Sequence, residues 1–428
     1  MSKFDEQDFD EKRLARRQKR KKSQITAFVI LAVVILLLAG VAVFCVYSIR
    51  NLLGISGSPQ EAAEAASEAS SEEVVIETPD TIEPEAQEMS EEDILSEVVD
   101  GCVAELSIED KVAGLFVVTP EQLTGVATAV KAGSGTQDAL SKYAVGGVAY
   151  FAKNIKDEGQ ISEMLDATET MSKYPIFTFV SDEGKKGAVT TNITVDGITD
   201  VTDTDTASSS ATALGLALSS YGFNMNLAPS IDLSDAGLYG SDADKAGELV
   251  TAFSSGIKDS GVDVCVNSFP LKTDTSAGLT AVDKSKDDLS NGEYKLFSAL
   301  IDKGIPSAVM MSNASFEKAV GDNTPASLSS AMIEDELRNG LGFDGVIITG
   351  PLNEASITEY YTSADAAVNA IKAGADMIYL PENFEEAYNG VLEAVNNGSI
   401  DESRLDESLK RIYRIKYANK AVEIKESN

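Results

Sequence analysis

An α/β fold, a (β/α)8 TIM-like barrel preceded by a single transmembrane helix and a disordered acidic linker, is predicted by three features of the sequence. Eight short, continuously apolar runs recur through residues 93–428. Amphipathic helical stretches separate most of them, the pattern of a parallel sheet covered on both faces. Charge is also segregated along the chain: a basic start, an uncharged stretch, a purely acidic stretch, and then the repeating part.

The elements follow in chain order. Residues 1–24 hold nine basic and five acidic side chains and read as a basic cytoplasmic tail. Ile25 to Tyr47 carries no charge. It is long enough for a membrane span, which needs about 20 apolar residues. A cleaved signal peptide would have a shorter apolar core of about 7–15 residues and small residues at its cut. Ser48-Ile49-Arg50 offers no such site, and Phe44 before Cys45 is too bulky for a lipoprotein cleavage box. The basic cluster precedes the span, so the N-terminus is expected in the cytoplasm and the rest outside. The chain is thus expected to be a single-pass protein of the cell membrane with its barrel extracytoplasmic.

Residues 48–92 are expected to be a disordered linker. Residues 51–100 contain 15 acids and no base, and one sign of charge with few apolar groups cannot offset the entropy of ordering. As a coil this tether reaches roughly 40 Å. The barrel is expected over 93–420, with 421–428 as a tail. Its strand-like runs are Gly114–Val118, Val145–Phe151, Ile176–Val180, Asn224–Ala228, Val262–Val266, Ser307–Met311, Gly345–Ile348 and Ala375–Leu380. Helical stretches are expected at Ile161–Met171, Lys245–Lys258, Leu328–Asn339 and Ser363–Lys372. A doubly wound open sheet is the alternative. It usually carries a Gly-rich turn after the first strand, and Val117-Val118-Thr119-Pro120 is not one.

Composition narrows function by exclusion. The 428 residues include 35 Lys and Arg, 69 Asp and Glu, and no His or Trp, for a net charge of −34. That balance argues against nucleic acid, which is bound through Lys and Arg. Without His there is no Ser-His-Asp triad, imidazole metal site or histidine acid/base. Three Cys are too few for a disulfide scaffold. Cys265 lies mid-strand and reads as a small buried hydrophobe; a pair with Cys102 is not expected. No cofactor is expected, and no carboxylate motif suggests a metal.

Barrels of this kind place function at the strand C-termini. The polar residues there are Ser181, Asp182 and Glu183 after the third run and Asp232 after the fourth. Asn267, Ser268, Lys272 and Asp274 follow the fifth, Ser312 and Asn313 the sixth, Thr349, Gly350, Asn353 and Glu354 the seventh, and Glu382 the eighth. Polar residues at strand ends are also ordinary loop entries. The Tyr360-Tyr361 pair reads equally as a sugar-stacking surface or as an inward-packed helix start.

Several segments resemble glycoside hydrolase family 3, most closely its single-domain bacterial β-N-acetylhexosaminidases. They are LSIEDKVAGLFVV (Leu106–Val118), AVGGVAYFAKNI (Ala144–Ile155), NLAPSIDL (Asn226–Leu233), PASLSSAMIEDELRNGLGFDGVIIT (Pro325–Thr349) and NGSIDESRLDESLKRIYRIK (Asn397–Lys416). The resemblance implies the same barrel and a retaining hydrolase of β-linked sugars. An Asp after the seventh strand would be the nucleophile, and a loop His would be the acid/base.

The residues that would carry this chemistry depart from the pattern. The seventh-strand motif, usually Thr or Ser followed by Asp-Asp, reads Thr349-Gly350-Pro351. Glycine has no carboxylate to form the covalent intermediate. The fifth-strand Lys-His-Phe-Pro-Gly-His-Gly reads Asn267-Ser268-Phe269-Pro270-Leu271-Lys272-Thr273. Asn313 replaces the sixth-strand His, and Ser181 replaces the third-strand Asp that would hold sugar hydroxyls. Glu183 and Gly184 remain.

The sequence therefore supports three expectations. The first is a membrane-anchored, non-hydrolytic pseudoenzyme whose mouth, formed by Ser181, Asp182, Glu183, Asp232, Asn267, Lys272, Asn313, Thr349 and Gly350, binds a glycan or peptidoglycan fragment. The second is an active β-glycosidase with displaced carboxylates, for which Glu354 and Asp274 are the candidates; it needs two such groups about 5–9.5 Å apart. The third is a scaffold for an envelope protein partner, with the old pocket filled by Leu271 or Pro351.

Overall fold

In the computed structural model the described residues are 90–185 and 187–427. The basic tail, the expected span Ile25–Tyr47 and the linker to residue 89 lie outside them. Among the described residues no helix is long and apolar enough to cross a membrane.

Eight parallel strands form the barrel: β1 Phe116–Val118, β2 Gly147–Ala149, β3 Phe177–Val180, β4 Met225–Asn226, β5 Asp263–Phe269, β6 Ala308–Met311, β7 Val346–Ile348 and β8 Ile378–Tyr379. Their order is β7-β6-β5-β4-β3-β2-β1-β8, and a parallel bridge between Ile348 and Met377 joins the two ends. All eight coincide with expected runs. All but β5 are buried along their whole length, which is why they read as apolar runs without alternation. β5 runs on to Phe269, with an irregularity between Asn267 and Phe269. Ala228–Pro229, Asn267–Ser268 and Phe269–Pro270 are cis.

The helices of the described residues include α1 Glu91–Ala104, α2 Ile108–Gly114, α3 Glu158–Met171, α4 Thr204–Tyr221, α5 Ala243–Asp259, α6 Glu293–Ile301, α7 Ala331–Gly340, α8 Ser363–Lys372, α9 Phe384–Asn396 and α10 Glu402–Ser427. The boundaries differ from expectation in two places. α1 begins inside the stretch expected to be linker, because Ser90 and Asp93 form a capping box. α10 runs through the expected tail, whose Ala, Glu and Lys residues propagate a helix with no Gly or Pro to stop it. α7 is wound as a π-helix after a short 3-10 turn at Ala326–Leu328, a departure that period-3.6 patterning does not signal.

The Gly146-Gly147 turn is required by packing. A Cβ on Gly146 would lie 2.0 Å from the Gly114 carbonyl oxygen, and one on Gly147 would lie 2.5 Å from the Phe179 ring. Cys265 is buried in β5 and Cys102 lies in α1; both thiols are free.

Two polar devices tie α10 to the barrel. Asp376, just before β8, is fully buried. One carboxylate oxygen accepts from the Ile347 amide (2.9 Å) and from Arg338. The other accepts from Ser408 (2.7 Å) and Arg411 (3.0 Å), with Arg404 at 3.6 Å. The second device is Lys416. Its Nζ donates to the Gly146 carbonyl (2.9 Å) and sits over the rings of Phe177 and Tyr413.

Burial lowers the Lys416 ammonium to about 7 from its ordinary 10.5. The unfolded chain therefore binds more protons than the native one between those values, and native stability rises with pH across that window. The expected result is that wild type gains stability relative to Lys416→Met as pH rises from 7 to about 10, read from urea midpoints. A pH-independent difference would refute this.

Candidate functional site

The strand C-termini open on a cavity of about 400 Å³. Met310, Met311 and Ser312 reach it from β6, and Asn267 and Ser268 from β5. Ser181 enters after β3, and Phe151 stands at its edge after β2, 37% exposed. The loop after β5 supplies Lys272, Thr273 and Thr275, and the loop after β7 supplies Pro351, Asn353 and Glu354. Tyr379 and Leu380 complete the wall.

Of the residues expected at the mouth, Ser181, Asn267, Ser268, Lys272, Ser312, Asn313, Asn353 and Glu354 line this cavity. The structure places the others elsewhere. Asp182 is buried and turned inward: its oxygens accept from the amides of Gly184 (2.8 Å), Val189 and Thr190 (2.9 Å each) and from the Thr190 hydroxyl. It shapes its own loop. Glu183 accepts from the Ser230 amide (2.6 Å), with Tyr239 at 3.4 Å. Burial pushes its carboxyl up, against the opposing pull of the Ser230 amide and Lys272. Asp232 lies in the β4 loop, outside the lining. Asp274 is exposed, and its bonds from Ser276 hold its carboxyl below the usual range. Thr349 is buried and accepts from the Tyr379 amide at 2.9 Å.

Gly350 is sealed by packing. Its amide donates to Ser327 Oγ at 2.8 Å. A Cβ built on it would lie 2.7 Å from Asn313 Oδ1 and 2.8 Å from the Met311 carbonyl oxygen. The Asn313 amide nitrogen donates to the Pro351 carbonyl (2.7 Å) and to Glu354 Oε2 (3.1 Å). Those two acceptors fix which end of the amide is oxygen. Oδ1 is left buried against Gly350 with no donor.

Glu354 Oε2 also accepts from the buried Thr275 hydroxyl. Thr275 and Phe151 join the site without having been expected there. The Thr275 and Phe151 positions carry no local signal that sets them apart from other loop residues.

Among the lining residues there is one carboxylate, Glu354, and one cation, Lys272. Lys272 Nζ approaches Ser230 Oγ at 3.5 Å. Pro351 lines the cavity without filling it, and Leu271 packs against the core. Among the described residues no cluster of three or more Cys, Asp or Glu could hold a metal ion.

A larger cavity, about 480 Å³, lies at the opposite end, between the starts of β5, β6 and β7 and α10, with Asp263, Asp344, Arg411 and Arg414 in its wall. Size alone would favour it. Position decides otherwise, because chemistry in such barrels is built from the loops after the strands.

An eight-stranded parallel (β/α)8 barrel with an open cavity at its strand C-termini defines the class of TIM-like barrel proteins, a fold that by itself assigns no chemistry. The chain belongs to glycosyl hydrolase family 3: residues 107–415 match that family's N-terminal domain. It is 23% identical over 322 residues to beta-hexosaminidase A of Pseudoalteromonas piscicida, covering 65% of this chain and 54% of that protein. Among solved structures it is similar to a family 3 β-N-acetylglucosaminidase from a Paenibacillus species. That similarity has a TM-score of 0.67 and 26% identity, with 74% of this chain and 63% of that chain covered. It is also similar to the β-N-acetylhexosaminidase of Beutenbergia cavernae, with a TM-score of 0.61 and 26% identity, over 73% of this chain and 99% of that one. The chain thus spans about half the length of the Pseudoalteromonas enzyme and under two thirds of the Paenibacillus chain.

Proposed function

We propose that this chain is a membrane-anchored, extracytoplasmic glycan-binding protein that does not hydrolyse its ligand. One observation carries the reading: among the described residues the mouth cavity is lined by a single carboxylate, and the position that would bear the nucleophile is a glycine packed against Asn313. Retaining hydrolysis needs a carboxylate nucleophile and an acid/base on opposite sides of the bond, and the sequence has no His to serve as the second group. Ser181, Ser268 and Asn267 offer hydroxyl and amide partners for sugar hydroxyls, and Phe151 offers an apolar surface at the edge. The ligand would be a β-linked glycan of the cell envelope, peptidoglycan fragments included. Anchoring rests on the uncharged stretch Ile25–Tyr47 behind a basic cluster.

A second reading is favoured by one feature. Glu354 lines the cavity with one oxygen held by Thr275 and Asn313, the relatives carry hexosaminidase names, and an active enzyme would use this group. A pure protein scaffold has less support, because the cavity is open and not filled by Leu271 or Pro351. The test is turnover of chromogenic β-N-acetylglucosaminide and β-glucoside by the detergent-solubilised full chain at high protein concentration. No release of chromophore is the expected result. Release that Glu354→Gln abolishes would establish the second reading.

A further inference from the structure

Taking the ligand class from the glycan-binding reading, we propose a second glycan-contact site, separate from the mouth, in a groove beside α8, where a β-linked saccharide chain lies against Tyr361 and Tyr360. The groove has a volume of about 350 Å³ and shares no wall residue with the mouth cavity. That size falls within the range of small-ligand sites, ~300–1,000 Å³. Thr324 and Ser330 enter its wall from the segment ahead of α7, Tyr361 from the end of the β7 loop, and Asn369 and Lys372 from α8. Asn369 and Lys372 are three residues apart and so share one face of that helix.

Two observations carry the proposal. The first is that the fold makes no use of these polar groups. The hydroxyls of Thr324, Ser330 and Tyr361, the Asn369 amide and the Lys372 ammonium have no hydrogen-bond or ion-pair partner among the described residues. Comparable groups nearby are employed by the fold: Thr362 caps α8, and Ser327 holds the Gly350 amide. Hydroxyls, an amide and an ammonium converging on one groove match the mixed donors and acceptors of a sugar ring. The second observation is aromatic. Tyr360, directly beside Tyr361, is 61% exposed, the most exposed large apolar side chain among the described residues. An aromatic face left in water next to a polar groove suits the C–H face of a pyranose, with the phenol hydroxyl at its rim. Two adjacent rings suit a chain of sugars rather than a single one. A protein partner is less well matched. The groove's apolar wall is Leu328 and Ala373, both buried, which leaves no pocket for the large anchors that such interfaces use.

The sequence has no Trp, so a single introduced indole reports a single site. Phe151→Trp reports the mouth and Tyr360→Trp the groove, each in the full chain titrated with the β-1,4-linked tetramer of N-acetylglucosamine. The emission of both is expected to shift saturably. In the Tyr360→Trp background, Asn369→Ala combined with Lys372→Ala is expected to weaken the groove curve about tenfold or more, as the loss of two hydrogen bonds. Both side chains are exposed, and the same pair of changes in the Phe151→Trp background is expected to leave the mouth curve unmoved, which also shows that the barrel stays folded. A silent Tyr360→Trp beside a responsive Phe151→Trp would overturn the groove proposal and leave the mouth reading standing. The converse would support the groove and overturn the mouth as the glycan site. Silence at both would overturn both. A groove curve unmoved by the paired alanine changes would overturn the assignment to this groove.

Discussion

Gly350→Asp lowers the stability of the barrel by about 2–6 kcal/mol and confers no glycosidase turnover. The first part follows from space. Any Cβ at this position meets Asn313 Oδ1 at 2.7 Å and a backbone carbonyl at 2.8 Å. Asn313 is 2% exposed and its amide is clamped by Pro351 and Glu354, so it cannot swing away cheaply. Overpacking of this kind costs about 1–3 kcal/mol. A carboxylate facing the unpaired Oδ1 adds repulsion between two acceptors, at about 1–3 kcal/mol for an unsatisfied buried group. The second part follows because position 350 lies outside the cavity lining, packed against Asn313 and the Met311 carbonyl, so a carboxylate there leaves Glu354 as the one carboxylate among the lining residues. Urea unfolding and turnover assays on the single variant check both parts. The cost is expected to be less than additive with Asn313→Ser, because that change removes the clashing amide. Turnover by Gly350→Asp alone would mean that the mouth is one residue from activity.

Asp376→Asn lowers stability by about 3–5 kcal/mol, the range for breaking a buried ion pair by removing one partner. The substitution keeps the shape and leaves Arg338, Arg404 and Arg411 without their shared counter-ion. Arg338 is 8% exposed in its side chain and Asp376 is fully buried, so water cannot screen the loss. The carboxylate joins α7, the starts of β7 and β8, and α10, and the damage falls on barrel closure. The urea midpoint is expected to drop with unchanged slope. A change under about 1 kcal/mol would show that the cluster is no stronger than a surface pair.

Much of the barrel was legible because its strands are buried on both faces. Runs such as Val346–Ile348 need no alternation to be read. The two-residue strands β4 and β8 were found only because neighbours of the same apolar type extend them. The π-winding of α7 was not legible, since its apolar spacing fits an ordinary helix. At the mouth, sequence position located Ser181, Asn267, Lys272, Asn313 and Glu354. It could not separate Asp182 from Ser181, one residue apart, because loop direction depends on which amides the carboxylate finds. Gly184 and Gly187 close behind Asp182 are the signal that was there: a short polar side chain before glycines commonly bonds its own loop. That Gly350 is packed shut by Asn313 required coordinates. The sequence showed two separate substitutions, and only the fold brings them into contact.

On the non-hydrolytic reading proposed above, this barrel forms no glycosyl-enzyme intermediate. Incubation of the full chain with an excess of an activated 2-deoxy-2-fluoro-β-glucoside, followed by intact-mass measurement, tests it most directly, with an active family 3 enzyme as the positive control. The account predicts an unchanged mass while the control gains one fluorosugar. A stoichiometric gain mapped to Glu354 or any other carboxylate at the mouth would contradict it.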